Sequence, residues 1–166
     1  EGTYVDTSTA ITSLGALNIT NSGAGSVSDL AFVGVRVLSP YNDGIYITFG
    51  AGAILPKNIR FSSCTVGASR NALRAITIRE GQSISFDECH LTGSTALSNN
   101  VVGIGTGSTD CPDIHFSRCL IDDIGDTGGA RYGIAWTRCS FGSSRSNTFV
   151  PAAGVSTSTR AHSIGA

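Results

Sequence analysis

The chain has 166 residues, 14% of them charged, and a formal net charge of −1 at pH 7. This length suits one domain with a core of its own. A nearly balanced charge, with Lys57 as the only lysine, argues against nucleic-acid binding, which needs a basic surface. No run of 18 apolar residues is present, so we expect no membrane-spanning segment.

The first 29 residues are rich in Ser, Thr, Gly and Ala and are predicted to form an irregular leading segment or a partial rung. The alternating stretch from Leu14 to Ile19 is the candidate strand within it. The chain does not start with methionine and shows no basic-then-apolar leader, which predicts that it is a portion of a longer protein.

From residue 30 onward one eight-residue phrase recurs, with the template I-x-F-x-x-C-x-(V/L/I). The copies start 29, 25, 30 and 20 residues apart. Repeats of this length are typical of solenoids, in which each unit buries its apolar face against the next. The five copies begin at Leu30, Ile59, Ile84, Ile114 and Ile134.

The spacing within the phrase predicts two short strands joined by a bend. Ile59 and Phe61 are two residues apart, as are Cys64 and Val66, so each pair faces one side of a strand. The three-residue step from Phe61 to Cys64 requires a bend at Ser62 and Ser63, after which the chain faces the interior again. A third strand precedes each phrase, as in Ala75–Ile78.

The five cysteines are an odd number, which argues against a framework built only of disulfides. Four of them, Cys64, Cys89, Cys119 and Cys139, take the same slot of the phrase, which Val35 fills in the first copy. A reduced cysteine behaves as a small apolar filler. The sequence therefore predicts a ladder of reduced cysteines inside the fold, with a disulfide or metal role as the alternative, although no zinc-type pair of ligands is present.

The end of the chain departs from the repeat. In the last copy, residues 131–136 run into the phrase with no separate connection, which predicts an irregular final rung. Residues 142–166 are small and polar and are predicted to be a C-terminal cap or tail. The solenoid itself is thus expected over residues 30–141.

Three carboxylates are candidates for acid–base chemistry: Glu80, Asp87 and Glu88. Glycoside hydrolysis needs two carboxylates about 5 to 9.5 Å apart. Rungs stack about 4.8 Å apart, so carboxylates on neighbouring rungs can meet this requirement. The alternative is structural, because Arg118 is expected to stack over Asp87 and Glu88 and to form an ion pair with Glu88.

Sugar-binding candidates collect around a glycine-rich acidic loop. Three carboxylates in this loop could grip hydroxyl groups or a cation, but the spacing does not match an EF-hand and we expect no bound metal or cofactor. The alternative is a solvated turn built from turn-forming residues. The candidates are Asp122, Asp123, Asp126, Arg131 and Tyr132, together with Arg79 on the preceding rung.

The repeated phrase and its phenylalanine and cysteine ladders resemble those of the pectate-lyase-like family of right-handed parallel β-helices. The resemblance covers about residues 27–141. It implies an all-β, right-handed parallel β-helix, here of about five rungs. The family's calcium-dependent lyases carry an acidic cluster on the first strand, and this sequence lacks it, which argues against pectate lyase activity.

Within that family, the low-lysine, Gly/Ser/Thr-rich composition is most similar to bacteriophage tailspike or tail-fibre segments. The resemblance implies a homotrimer in the virion tail, outside the cell, that binds bacterial surface polysaccharide. The exposed Val33, and Phe149 and Val150 in the tail, are candidate contacts between subunits. Two alternatives stay open: a polysaccharide hydrolase or lyase, and a purely structural solenoid.

Overall fold

The computed structural model of the chain describes residues 4–6, 15–21, 25–38, 40, 42–49, 54–67, 74–93, 100–124, 132–152 and 160–164. Two of the predicted sugar-binding residues, Asp126 and Arg131, lie outside these ranges. Every regular element of the described residues is a β-strand, so the all-β class is confirmed.

The strands are short, and each set of three in chain order makes one rung. They are β1 (Tyr4–Asp6), β2 (Gly15–Asn21), β3 (Ser28–Val33), β4 (Arg36–Leu38), β5 (Asp43–Phe49), β6 (Lys57–Ser62), β7 (Thr65–Val66), β8 (Ile76–Ile78), β9 (Gln82–Asp87), β10 (His90–Thr92), β11 (Val102–Ile104), β12 (Ile114–Ser117), β13 (Leu120–Ile124), β14 (Tyr132–Trp136), β15 (Gly142–Arg145), β16 (Thr148–Pro151) and β17 (Arg160–Ile164).

These strands form three parallel sheets that enclose one core. Sheet A has the order β1-β4-β7-β10-β13-β16, sheet B the order β17-β14-β11-β8-β5-β2, and sheet C the order β15-β12-β9-β6-β3. The chain visits B, C and A in turn, and it makes about four turns between β2 and β14. The parallel solenoid is confirmed, and its right-handed winding stays a prediction.

The first four copies of the phrase align as predicted. Ile59 pairs with Leu30 and Ile84, and Ile84 pairs with Ile114. The phenylalanines of these copies form a stack inside the core. Ring centroids along Phe32, Phe61, Phe86 and Phe116 are 4.8, 4.7 and 4.7 Å apart, with nearly parallel planes.

The predicted bend is also present, and a left-handed backbone conformation produces it. Ser63, Glu88 and Arg118 occupy the same position in successive rungs, with φ between 52° and 53°. This conformation costs roughly 1–2 kcal/mol for a residue with a Cβ. Hydrogen bonds between rungs stabilise it, since the Ser63 N–H donates to the Asp87 carbonyl and the Glu88 N–H to the Ser117 carbonyl, both at 3.0 Å.

The predicted fifth copy of the phrase does not belong to the same sheet as the first four copies. Ile134 and Trp136 lie on β14 in sheet B, where they pair with Val102 and Ile104. The strand that continues sheet C is β15, in which Gly142 pairs with Ile114. Sheet B strands such as β8 and β11 also carry two apolar residues two positions apart, so this alternation could not distinguish a sheet B strand from a sheet C strand.

The corrected register changes the cysteine ladder. Cys64, Cys89 and Cys119 stack in one column, are free thiols, and approach the carbonyl oxygens of Phe32, Phe61 and Phe86 at 3.5–3.7 Å. The next residue in that column is Asn147, whose side chain accepts from the Cys119 N–H at 2.8 Å and donates to the Phe116 carbonyl at 3.1 Å. Cys139 instead shares a column with Cys111.

Trp136 closes the phenylalanine stack from the neighbouring sheet. Its ring lies edge-on to Phe116, with centroids 6.2 Å apart and planes at 88°. A Cβ at Gly142 would collide with this ring, so glycine leaves the room that the indole needs. The indole therefore covers Phe116 where a fifth stacked phenylalanine would otherwise lie.

The strands also extend beyond the predicted solenoid bounds. β1 and β2 lie before residue 30, whereas β15, β16 and β17 lie after residue 141, and all five pair within the three sheets. The predicted leading segment and tail thus contribute rungs. The polar residues of β15 fit at the end of the solenoid because this strand is paired on one edge.

The cysteines outside the ladder make the stability sensitive to alkali. Burial raises the pKa of the Cys111 and Cys139 thiols to about 11. Stability from a raised thiol pKa is present below the unfolded value of about 8.5 and is lost as the pH rises through the folded value. We expect the free energy of unfolding, measured in urea, to fall between about pH 9 and pH 11, and to fall less in a Cys111→Ala variant. A flat profile over this range would contradict the expectation.

The three sheets differ in how their outer faces are covered. In sheet B the outward-facing Tyr46 and Thr77 are buried, and the Arg74 side chain lies over Gly103. In sheet C the strands alternate between buried and accessible residues. The outer face of sheet C is therefore open, and it presents side chains to solvent in regular columns.

Candidate functional site

An open groove of about 980 Å³ runs over the outer face of sheet C, and we call it the sheet C groove. Its central column consists of Ala31, Arg60, Ser85 and His115, one residue from each of four successive rungs. The register continues this column to Ser143 on β15. Because the rungs stack about 4.8 Å apart, the polar members of the column, from Arg60 to Ser143, lie at a regular spacing along the solenoid axis.

A second column of the groove consists of residues with left-handed backbone. Asp29, Asn58, Ser83 and Asp113 have φ between 51° and 64° and lie just before the central column. The Asn58 amide donates to the Asp29 carboxylate at 3.1 Å. A bond from the Ser28 hydroxyl and, after it, this bond from Asn58 hold the pKa of Asp29 below its usual range. The column thus carries ionised carboxylates at its two ends.

A third column of the groove consists of Ser62, Asp87 and Ser117, and the predicted ion pair lies next to it. Asp87 accepts from the Ser117 hydroxyl at 2.6 Å and from the Arg118 guanidinium, and Arg118 Nε also lies 3.1 Å from Glu88 Oε1. The pair between Glu88 and Arg118 is therefore confirmed. Asp87 and Glu88 are brought together as expected, but both are bound by one guanidinium at the edge of the groove. Their catalytic role stays a prediction.

At the end of the groove near β15, three side chains form a hydrogen-bonded relay. His115 Nε2 lies 2.6 Å from Asp113 Oδ1, and His115 Nδ1 lies 2.7 Å from Ser143 Oγ. The bonds from His115 and Ser83 lower the pKa of the Asp113 carboxyl. Asp113 therefore remains ionised at neutral pH and can only accept hydrogen bonds.

Phe141 lies directly beside this relay. It precedes Ser143 by two residues, and its carbonyl accepts from the backbone N–H groups of Asp113 and Ile114 at 2.7 and 3.1 Å. Its side chain is 73% exposed. An exposed aromatic ring next to hydrogen-bonding groups offers both the apolar and the polar contacts that a sugar or an acyl group needs.

Glu80, one of the three predicted acid–base residues, lies away from the groove and does not face solvent. It is 4% exposed, at the turn between sheets B and C. Its carboxylate accepts from the Thr48 hydroxyl at 2.9 Å and from the Ser108 N–H at 3.3 Å, and Arg79 Nε lies 3.6 Å away. Glycine at position 107 leaves room for the carboxylate. These contacts fit a structural role that joins three rungs.

The described residues of the acidic loop, and Tyr132 after it, lie on sheets A and B and not in the sheet C groove. Asp122 and Asp123 belong to β13 in sheet A, where Asp122 Oδ2 is 2.7 Å from His90 Nε2. Tyr132 begins β14 in sheet B, is half-buried, and donates no hydrogen bond to either aspartate among the described residues. The sequence therefore grouped residues that belong to two different sheets, and their sugar-binding role stays a prediction.

Asp113, His115, Ser143 and Phe141 were not among the predicted site residues. Ser143 lay in the supposed tail because the fifth copy was placed eight residues too early. A search for the phrase that allowed small polar residues in the core slots could have found it, since Gly142, Ser144 and Asn147 keep the phrase's spacing.

Comparisons with protein-family models, with curated proteins and with solved structures found no match to this chain. The fold and the groove define the chain as a parallel β-solenoid protein with an open polar face on sheet C. In the described ranges, no helix could span a membrane, and no three His, Cys, Asp or Glu side chains are placed to bind a metal ion.

Proposed function

We propose that the sheet C groove binds a polysaccharide, and that the chain is a segment of a phage tailspike or tail fibre that recognises a bacterial surface. The observation that carries this proposal is the central column of the groove, which runs across successive rungs and is lined with hydrogen-bonding side chains. A polymer laid along the solenoid axis meets a new set of polar groups on every rung. A small ligand would use only one of them.

The chemistry of the groove suits sugar hydroxyls, which both donate and accept hydrogen bonds. Arg60 supplies donors, Asp113 supplies acceptors, and Ser85 and Ser83 supply both. Arg60 makes no ion pair with any described residue, so its guanidinium is available to a ligand. A polar cleft with one cation also fits polysaccharides that carry carboxylate groups.

The assembly that we propose is an extracellular homotrimer in the virion tail. In the described part of the chain, sheet C begins at β3, so one edge of this strand is unpaired. Unpaired edges favour association with another chain. Val33 on this strand is 66% exposed and lies on the same face as the groove. Light scattering is expected to give three times the chain mass of 17.0 kDa, and a monomer mass at micromolar concentration would contradict the trimer.

Replacing Arg60 with alanine tests the groove. Charge-assisted hydrogen bonds are worth about 1.5–3 kcal/mol, so we expect the variant to bind a recognised polysaccharide at least about tenfold more weakly. The measurement is isothermal titration calorimetry against a panel of bacterial surface polysaccharides. The matched control is Arg36→Ala, because Arg36 is also exposed but lies on sheet A. Equal binding by the Arg60 variant and the native chain, or equal loss in both variants, would contradict the proposal.

A further inference from the structure

We propose that Ser143 and His115 act as nucleophile and general base in the hydrolysis of O-acyl esters on carbohydrate bound in the sheet C groove. The substrate class rests on the proposed function. The chemistry rests on the Asp113–His115–Ser143 relay. A serine, a histidine and an aspartate linked by hydrogen bonds in this order are the parts of an acyl-transfer site, which is recognised by geometry and not by position in the chain.

The distances within the relay meet the requirements for nucleophile activation. A base must lie within about 2.6–3.2 Å of the proton that it takes, and His115 Nδ1 lies 2.7 Å from Ser143 Oγ. The opposite nitrogen is 2.6 Å from Asp113 Oδ1. An ionised carboxylate only accepts, so Nε2 carries the proton. In the neutral imidazole this leaves the Nδ1 lone pair directed at the Ser143 hydroxyl.

Rigid elements hold the three groups. His115 and Ser143 are paired residues on the neighbouring strands β12 and β15, and Asp113 comes immediately before β12. The Asp113 N–H donates to the Phe141 carbonyl at 2.7 Å, which fixes the aspartate against the strand that carries the serine. Sites on strands keep their geometry better than sites on loops.

Two similar contacts in the described structure each lack one part of the relay. Ser117 also bonds to a carboxylate, that of Asp87, but its hydroxyl donates directly to the acid and no histidine intervenes. His90 on sheet A bonds to Asp122 at 2.7 Å, and its other polar neighbour, the Thr92 hydroxyl, lies at 3.4 Å from the same nitrogen. Only at His115 do the two ring nitrogens bond separately to an acid and to a hydroxyl, among the described residues.

The reaction would proceed in two steps. Ser143 Oγ attacks the acyl carbonyl carbon while its proton passes to His115 Nδ1, and the C–O bond to the sugar then breaks as His115 protonates the leaving sugar oxygen. The acyl group is now an ester of Ser143. Water attacks this ester, its proton passes to His115, and the carboxylic acid leaves with Ser143 regenerated. The net change consumes one ester and one water and yields one acid and one sugar hydroxyl.

Neighbouring side chains suit the substrate. Arg145 follows Ser143 by two residues on β15, and alternate residues of a strand share a face. Phe141 comes immediately before this strand, and its carbonyl accepts from the Asp113 N–H. The exposed Phe141 ring offers an apolar contact for the acyl group or a sugar face. Arg145 makes no ion pair with a described residue, so its guanidinium can offset negative charge on the attacked carbonyl oxygen.

The test measures ester hydrolysis by the full chain with p-nitrophenyl acetate and with O-acetylated bacterial polysaccharide, and labelling by a fluorophosphonate probe with intact-mass detection. We expect hydrolysis by the native chain and addition of one probe per chain. Ser143→Ala should abolish labelling and lower the rate at least about 100-fold, and His115→Ala should lower it by about 10²–10⁴-fold. The control is Ser108→Ala, an exposed serine on the rung of His115 but at the turn between sheets B and C.

Asp113→Asn tests the positioning role of the aspartate. This variant is expected to lower kcat while the KM for p-nitrophenyl acetate stays unchanged, because the amide can donate to the ring and favours the wrong tautomer. Native-like circular dichroism and an unchanged unfolding midpoint establish that each variant is folded. Labelling of the native chain tests for an activated serine nucleophile even if a variant fails to fold.

The outcomes separate this proposal from the proposed function. Polysaccharide binding with no hydrolysis and no labelling would overturn the catalytic assignment and leave the groove as a binding site. A Ser143→Ala variant that hydrolyses esters at the native rate would also overturn it. Hydrolysis and labelling that depend on Ser143, without binding to any polysaccharide, would support the nucleophile but overturn the carbohydrate substrate class together with the proposed function.

Discussion

Replacing Phe86 with alanine is expected to lower the free energy of unfolding by about 3 to 5 kcal/mol, the range measured for buried phenylalanines. Phe86 is 1% exposed and stacks on Phe61 and Phe116, each at 4.7 Å. Because rings lie on both sides, the variant loses two stacking contacts and leaves a cavity in the middle of the ladder. The backbone of the adjoining rungs is paired on both edges and cannot move in to fill it.

Urea unfolding followed by circular dichroism measures the loss. The matched control is Phe141→Ala, which removes the same side chain from a position that is 73% exposed, and its effect is expected to stay within about 0.5 kcal/mol. Equal effects of the two substitutions, or a loss below about 1 kcal/mol at Phe86, would show that the stack is not the core element described here.

Replacing Gly105 with alanine is expected to cost about 2 to 4 kcal/mol. Two effects combine: Gly105 has a φ of 68°, which costs an L-residue roughly 1–2 kcal/mol, and a Cβ would collide with the backbone N, C and O of Arg138 on the next rung. Backbone atoms cannot rotate away as a side chain can. The two rungs would have to separate. Two hydrogen bonds hold them together at this point: the Arg138 guanidinium donates to the Gly107 carbonyl at 2.6 Å, and the Arg138 carbonyl accepts from the Cys111 N–H at 3.0 Å.

Gly34→Ala isolates the first of these effects. Gly34 has a similar φ of 65°, but a Cβ there would meet no atom within 4 Å. Its column contains Ser63, Glu88 and Arg118, which adopt the same conformation with full side chains. We therefore expect a loss of about 1–2 kcal/mol in this variant. If urea unfolding gives the same loss for both glycines, close rung packing at Gly105 contributes nothing.

Part of the candidate site follows from the repeat. Once Ile84 is aligned with Ile114, Ser117 and Arg118 lie over Asp87 and Glu88, and the ion pair between Arg118 and Glu88 needs no other information. By the same alignment His115 faces outward. These contacts are predictable because a parallel solenoid places equal positions of successive rungs next to each other.

The relay could not be predicted in the same way. Finding Ser143 beside His115 requires the alignment of the last rung, where the apolar signal fades. Gly142 and Ser144 stand where isoleucine and phenylalanine stand in earlier rungs, and Trp136 covers Phe116 from another sheet. A terminal rung buries less surface, so its sequence is less constrained and the pattern no longer identifies it.

The all-β class, the parallel solenoid, the inward ladders of phenylalanine and cysteine, and the bend at Ser63 could all be predicted from the residues alone. These features depend on local alternation and on a repeat that the first four copies carry in full. The open outer face of sheet C, the burial of Glu80, and the contact of Asp113, His115 and Ser143 became known from the folded chain. These depend on how separate rungs and sheets cover one another, and residues about 30 positions apart in the chain become neighbours only after the solenoid has wound.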